Sequence, residues 1–472
     1  MHSTVMRVLF AAFFLAFASA CATLPQVPNA STKAPGQWSV ESTALVPGER
    51  PLDWWQAFDD PQLDALMATA LRENRDLVAA DARLRAARAL AREADLARAP
   101  SGGANVQLSR SRTSALSQPP VEGSPAEFAT QALVDVGLEF RWQLDLAGGV
   151  AAAGDAAAAD ALQSLWQRRQ IEAGVAAALV EAWLQRDDAA RALAVLESRI
   201  AALASVRQRL RAAVVLGALR EADVAPAELA HAEAEALALD WQLQLRNAER
   251  RIATLSNRAP ASLQLNPAAP AYPSTLPVHD PLAALRARPD VGAADARLRG
   301  AYARAGVAQA ALYPQISLLG AVGLTAPASQ LDASGAERFI GGPALSWSVF
   351  DLPRLRAQAQ AAAANADAEL ASFHATTLAA LEEADAAIDA WHTARDAAQR
   401  IDAARATAAR AAELSAARRA AGLVSALDLA RTQADALQWE LAAIEARGRA
   451  RRAWAAALLA LGAGWRDADL QS

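Results

Sequence analysis

Leu133–Asp145 reads LVDVGLEFRWQLD and alternates without a break. Val134, Val136, Leu138, Phe140, Trp142 and Leu144 fall on one side, and Asp135, Glu139, Arg141, Gln143 and Asp145 on the other. A period of two is the period of a strand. A strand with two such faces has two homes. It can sit in an antiparallel sheet that is wet on one side, or in a membrane barrel with lipid outside and water inside. The flanking sequence decides between them.

A second stretch of the same kind, FIGGPALSWSVFD, begins at Phe339 and puts Phe339, Leu345, Trp347 and Val349 on its apolar side. Two further strands are read from NVQLSRS at Asn105 and ISLLGAVGLT at Ile316. The four expected strands cover about 104–112, 132–145, 315–325 and 338–350. Alanine-rich helical stretches of close to 70 residues follow, over 149–216 and 353–421. At 1.5 Å per residue each is on the order of 100 Å long. Each stops at a glycine, Gly217 or Gly422, and a return helix is expected over 221–257 or 426–461. Four strands set among such helices do not make a sandwich, and a membrane strand needs only ~9–11 residues. Four strands also cannot close a barrel, and open sheet edges are not viable in lipid. If the strands lie in a membrane, other copies of the chain must complete the barrel.

The chain is written twice. DLVAADARLR begins at Asp76 and DVGAADARLR at Asp290, a separation of 214 residues with eight of ten letters shared. Solenoid repeats recur every ~20–50 residues, so the unit here is far larger. The helix carrying the decamer is expected over Pro61–Ala99 and again over Asp280–Tyr313, stopped by Pro100 and Pro314 in the same register. Proline at both places is a strong stop. Trp142 and Trp347 are 205 apart, so the first copy is nine residues longer between its strands. The extra residues fall in polar Pro/Gly/Ser segments, where insertions are tolerated. Repeat one is read as 51–257, a Pro-rich linker as 258–281, repeat two as 282–465 and a tail as 466–472.

The N-terminus is a targeting segment. Arg7 precedes an apolar run from Val8 to Ala18 that is too short to span a bilayer. Residues 1–20 read as a signal peptide and 21–50 as a lipidated N-terminus and tether. Cys21 is the only cysteine and closes ASAC. Ala18 and Ala20 fit an ordinary cleavage site, which would leave a thiol without a partner. The favoured reading is a lipobox in which Cys21 is acylated, with Ala18 where leucine is usual. No later run reaches 18 apolar residues, so no membrane helix is expected. The net charge of −5 and the lack of basic-aromatic interleaving give no footprint for nucleic acid. The five histidines have no metal-ligand spacing, and Glu382-Glu383 reads as a solvated helix face. No convergent reactive groups mark an enzyme, and no cofactor or metal is implied.

Taken together, DWWQAFDDPQLDALMATALRENRDLVAADARLRAAR, RARPDVGAADARLRGAYARAGVAQAALYPQISLLGAVGL, GPALSWSVFD, AAGLVSALDLARTQ and LGAGW resemble the TolC-like outer-membrane efflux proteins, in their NodT-type lipoprotein branch. The resemblance runs from Cys21 to Trp465. It implies a mostly α fold with a small membrane β-barrel contribution. Two tandem helix–strand–strand–helix–helix repeats would supply four strands per chain to a twelve-stranded trimeric barrel continued by a periplasmic α-helical tunnel. It implies a passive efflux conduit for drugs or other small solutes, fed by a periplasmic adaptor and an inner-membrane pump. The alternative is a non-conducting periplasmic coiled-coil adaptor or scaffold lipoprotein, against which the duplicated hairpin and the intervening strands argue.

Gly217 and Gly422 then mark the tunnel tip, and Asp223 and Asp428, each six residues on, match aspartates that line the family's closed aperture. Ser425 to Asp428 also fits a capping box that starts the return helix. Arg419 stands where the best-known member has tyrosine, Val424 replaces an arginine, and Arg431 replaces an aspartate. Two readings stand: a clasp between Arg419 and Asp223 across the two hairpin tips, or Arg418, Arg419 and Arg431 as solvated surface charges. Pro226 predicts that the first return helix starts late or bends. Trp142 and Trp347 are expected in an aromatic girdle at one membrane interface.

Overall fold

A computed structural model of the chain describes residues 25, 35–40, 43–48, 51–112, 130–259, 265–266, 270–271 and 273–465. The signal peptide, Cys21 and the tail lie outside these residues. In chain order the elements are β1 (Leu45–Pro47), α1 (Pro61–Glu73), α2 (Arg75–Leu96), β2 (Ser101–Ser111), β3 (Gln131–Leu144), α3 (Gly149–Val215), α4 (Ala225–Leu255), β4 (Leu276–Val278), α5 (Pro281–Ala287), α6 (Pro289–Ala310), β5 (Gln315–Ala326), β6 (Glu337–Ser346), α7 (Leu352–Ala420) and α8 (Ala426–Ala460). No described helix is long and apolar enough to cross a membrane. The chain divides into two compact units.

The first unit includes Arg85–Gln163 and Asp295–Ser372 and holds the four long strands. They form one antiparallel sheet in the order β2-β3-β5-β6. The hairpins of the two repeats are thus joined along β3 and β5, from Val134 opposite Ala326 to Leu144 opposite Ile316. The alternation carries across the whole sheet. Val106 and Leu108, Leu138 and Phe140, Val322, and Phe339 and Leu345 are all exposed on one face. Phe140 lies opposite Gly320, where a Cβ would meet its ring at 1.9 Å, so the glycine gives the ring its place. Both outer strands, β2 and β6, have one edge without a strand partner among the described residues.

Sequence reading carries the last strand to 350, but β6 ends at Ser346 and Val349–Asp351 form a 3-10 turn. Just beyond its end the Trp347 indole N–H donates to the Leu312 carbonyl at 3.1 Å. Trp142 does the same to the Arg98 carbonyl at 2.9 Å. Arg98 and Leu312 are equivalent positions, each two residues before the stopping proline. Each tryptophan thus ties the end of a strand hairpin to the end of the helix that precedes it.

The second unit comprises Ser31–Leu84, Ser164–Ala294 and Phe373–Ser472. Its core gathers Trp54, Phe58, Trp183, Trp391 and Trp454, with Phe58 and Trp454 edge to face at 5.5 Å. Burial of side chains this large contributes on the order of 1.5–3 kcal/mol each. The short parallel pair β1–β4 joins the chain before repeat one to the linker before repeat two.

Each expected single helix is broken here, at Asn74 and at Arg288, which are again 214 apart. Asn74 leaves the helix with ψ 131, and its side-chain oxygen accepts from the backbone of Asp76 at 2.9 Å. Its amide donates to the Leu255 carbonyl at 3.1 Å. Arg288 leaves with ψ 127, the extended conformation favoured by the following Pro289. Its guanidinium donates to the Ala460 carbonyl at 2.8 Å and pairs with Asp290 and Glu383. Glu383 thus pairs with Arg288 while staying exposed, on the solvated helix face expected of it.

A buried ionic network, absent from the sequence reading, ties α3 to α8. Arg451 bonds Asp187 at 3.1 Å and also reaches Asp188, which Arg452 approaches as well. Asp187 and Asp188 are nearly fully buried, as is Arg451. Gly448 makes room, because a Cβ there would meet the Asp188 carboxylate at 2.0 Å. Side chains of both repeats also hold linker carbonyls: Arg186 that of Asn266 at 2.6 Å, and Trp454 that of Thr275 at 2.8 Å.

Candidate functional site

The two turns that end α3 and α7 are built alike. Gly217 has φ 71 and Gly422 φ 76, a left-handed conformation that a side chain would strain. Around Gly217 the N–H donates to Val214 and that of Ala218 to Ala213; around Gly422 the same pair runs to Arg419 and Arg418. This crossed pair satisfies helix-end carbonyls and stops both helices.

The return helices start differently. Ser425 caps α8: its hydroxyl accepts from the Asp428 N–H at 3.0 Å, and the Asp428 carboxylate accepts from the Ser425 hydroxyl at 2.6 Å and its N–H at 3.2 Å. These bonds favour the charged form and hold the Asp428 carboxyl below the usual carboxylate range. At the equivalent place in repeat one stands Arg220. Asp223 still accepts from the Arg220 N–H at 2.9 Å, but Glu221–Asp223 form only a 3-10 turn. α4 begins at Ala225 with Pro226 in its first turn, four residues after the position equivalent to the start of α8. The late start expected from Pro226 is what the structure has.

The expected clasp between Arg419 and Asp223 is not made. Arg419 donates to the Val424 carbonyl of its own turn at 3.2 Å, and Asp223 is engaged by Arg220. Each group is satisfied inside its own hairpin, which costs less side-chain ordering than a bond between hairpins. The turns are nevertheless neighbours in packing. Val206, Leu210, Val224 and Ala227 of repeat one share a cluster with Ala430, against which Leu219 and Leu427 pack. Sequence reasoning passed over Val215, Leu216 and Leu423, which stand exposed beside the two glycines. The signal was present, since an aliphatic residue flanks each glycine. Among the described residues no group of His, Cys, Asp or Glu could hold a metal ion.

This architecture has known counterparts. The outer membrane efflux protein family matches the chain twice, over residues 66–258 and 281–463. Outer membrane protein OprJ of Pseudomonas aeruginosa is 32% identical over 73% of this chain and 72% of its own length. The pyoverdine export outer membrane protein OpmQ of Pseudomonas putida is 29% identical over 79% of both chains. The solved outer-membrane channel OprN superposes with a TM-score of 0.82 at 30% identity, covering 94% of this chain and all of that one. Such channels are trimeric barrels continued by helical tunnels, and a four-stranded sheet with two open edges is one chain's share of the barrel. The chain belongs to the outer membrane efflux protein family, whose members are outer-membrane channels of efflux pumps and not enzymes.

Proposed function

We propose that three copies of this chain form the exit duct of a tripartite efflux system, taking drugs or other small solutes from a periplasmic adaptor and an inner-membrane pump and releasing them outside. The observation that carries this reading is a sheet with one apolar face, one polar face and two open edges, joined to hairpins with arms of 67 and 69 residues. A conduit needs no chemistry of its own and accepts what is handed to it. Cys21 carries the lipid that adds a second hold on the outer membrane, alongside the barrel. The turns with Gly217, Asp223, Arg419, Gly422 and Asp428 form the periplasmic aperture, and the exposed Val215, Leu216 and Leu423 beside them supply apolar surface for the adaptor. Trp142 and Trp347 mark the membrane interface on the helix side of the barrel.

The test is direct. The membrane-extracted protein should run as a heat-modifiable trimer, conduct ions in planar bilayers, and restore solute export to a cell lacking its outer-membrane duct. A monomer that binds membranes and conducts nothing would overturn the reading. Metabolic labelling with a fatty acid should mark the parent chain and leave Cys21→Ser unlabelled.

A further inference from the structure

On the polar face of the sheet, Gly137, Gly323 and Arg338 stand in one row across β3, β5 and β6. The two glycines leave a trough in front of Arg338. Its guanidinium runs along that trough, lying 3.3 Å from where a Cβ on Gly137 would be. It ends on Asp135, with Nη2 to Oδ1 at 2.6 Å. Thr325, opposite Asp135 on β5, donates its hydroxyl to the other carboxylate oxygen at 2.7 Å. Side chains on residues 137 and 323 would stand in the path, and at Gly323 a Cβ would also meet the Val136 carbonyl at 2.3 Å. The arginine and the carboxylate together therefore bridge two strand spacings, about 10 Å, along the wall. The pair remains partly open, with side-chain exposures of 33% for Arg338 and 21% for Asp135.

The opposite face carries Val106, Leu108, Leu138, Phe140 and Phe339, which belong against lipid, so the face with this pair belongs to the water-filled lumen. We propose that Asp135 and Arg338 form a self-neutralised pair on the lumen wall that sets the charge preference of the conduit at this level and keeps the guanidinium out of the passage. A trimer carries three such pairs at one height. While they are intact the pairs themselves add no net charge to the wall, and Glu139, opposite Ala321 on the same face, sets the background against which a change is read. Loss of the carboxylate frees three cations that favour anionic solutes, and loss of the guanidinium frees three anions with the opposite effect. The inference rests on the channel reading, and its test separates the two.

A thiol at Ala321→Cys reads the local potential. Ala321 is on the same face of β5, two residues from Gly323 and so about 7 Å along the strand. Reconstituted trimers are treated with a cationic and an anionic methanethiosulfonate, with the chain lacking the added thiol as background for Cys21. Asp135→Asn should slow the cationic reagent and speed the anionic one by roughly threefold each. Arg338→Gln should do the reverse, and the double variant should return to the parental ratio. Arg338→Gln carries the test alone where Asp135→Asn fails to assemble. A reactive thiol with one rate ratio in all four chains, or both single variants shifting it the same way, overturns the proposal and leaves the channel reading standing. A thiol that neither reagent reaches in the parent overturns both.

Discussion

At the break in the first helix of each repeat, the chain has to hold the carbonyl that ends the return helix. Repeat one does so with Asn74, a neutral amide that also caps α2. Repeat two does so with Arg288, a cation that also gathers Asp290 and Glu383. The contact partners, Leu255 and Ala460, are equivalent at a spacing of 205. The buried ion network diverges further. Asp187, Asp188 and Arg451 have His392, Thr393 and Arg246 at their counterparts, and Gly448 has Leu243, so the crossing is built once in two chances. The tryptophan clamps, by contrast, are kept in both copies. Backbone geometry survived the duplication, and the side chains that stabilise it were free to diverge wherever a different group could reach the same carbonyl.

This contrast can be broken experimentally. Asp188→Ala takes from the buried Arg451 one of its two carboxylate partners, leaving Asp187, and should cost ~3 kcal/mol, whereas Thr393→Ala, at the exposed equivalent, should stay within ~0.5 kcal/mol. Thermal midpoints of the detergent-solubilised trimer compare the two, and equal losses would show that the network is not asymmetric in energy. Arg288→Ala removes charged bonds from a nearly buried site and should cost ~2–3 kcal/mol, against ~1–2 kcal/mol for Asn74→Ala. A larger loss at Asn74 would reverse the order of the two solutions.

The turns sharpen the comparison from the conserved side. Gly217→Ala and Gly422→Ala each force a side chain into a left-handed backbone and should cost about 1 kcal/mol, equally in both repeats. The smallest effect is a pH dependence. Because the folded Asp428 carboxyl is held below its ordinary range, its stabilising bonds are fully present above the unfolded value and are lost as pH falls through the lowered folded one. Hydrogen-exchange protection at the start of α8 should therefore drop in acid. Ser425→Ala should move that drop to higher pH; an unshifted profile would remove Ser425 as its cause.

Much of this was legible. Unbroken alternation in β3, the stopping prolines and the paired glycines each have a local physical cause, so they can be read without the fold. The break at Arg288 was also readable, since a residue before proline leaves the helix. The break at Asn74 was not, because its stabilisation comes from Leu255, 181 residues away. The charges at 187, 188 and 451 carried no local signal, because their partners lie more than 260 residues apart. At the turns, glycine and cap were legible, but the expected Arg419–Asp223 bond failed because each group had a nearer partner.

The constant spacing of 205 along α3 and α7 carries one more consequence. The buried positions of α7 fall at Ala359, Ala366, Phe373, Thr377, Ala380, Ala384, Ile388, Trp391 and Ala398, in steps of seven, or of three and four. One inserted residue turns everything beyond it by about 100° and carries this row off its face. Seven residues restore the face and lengthen the helix by about 10 Å. Arms of this kind can therefore change length only in coarse increments, and only together with the helix that returns beside them. The nine-residue difference between the copies falls between the two strands of each repeat, outside these helices, where no such gauge applies.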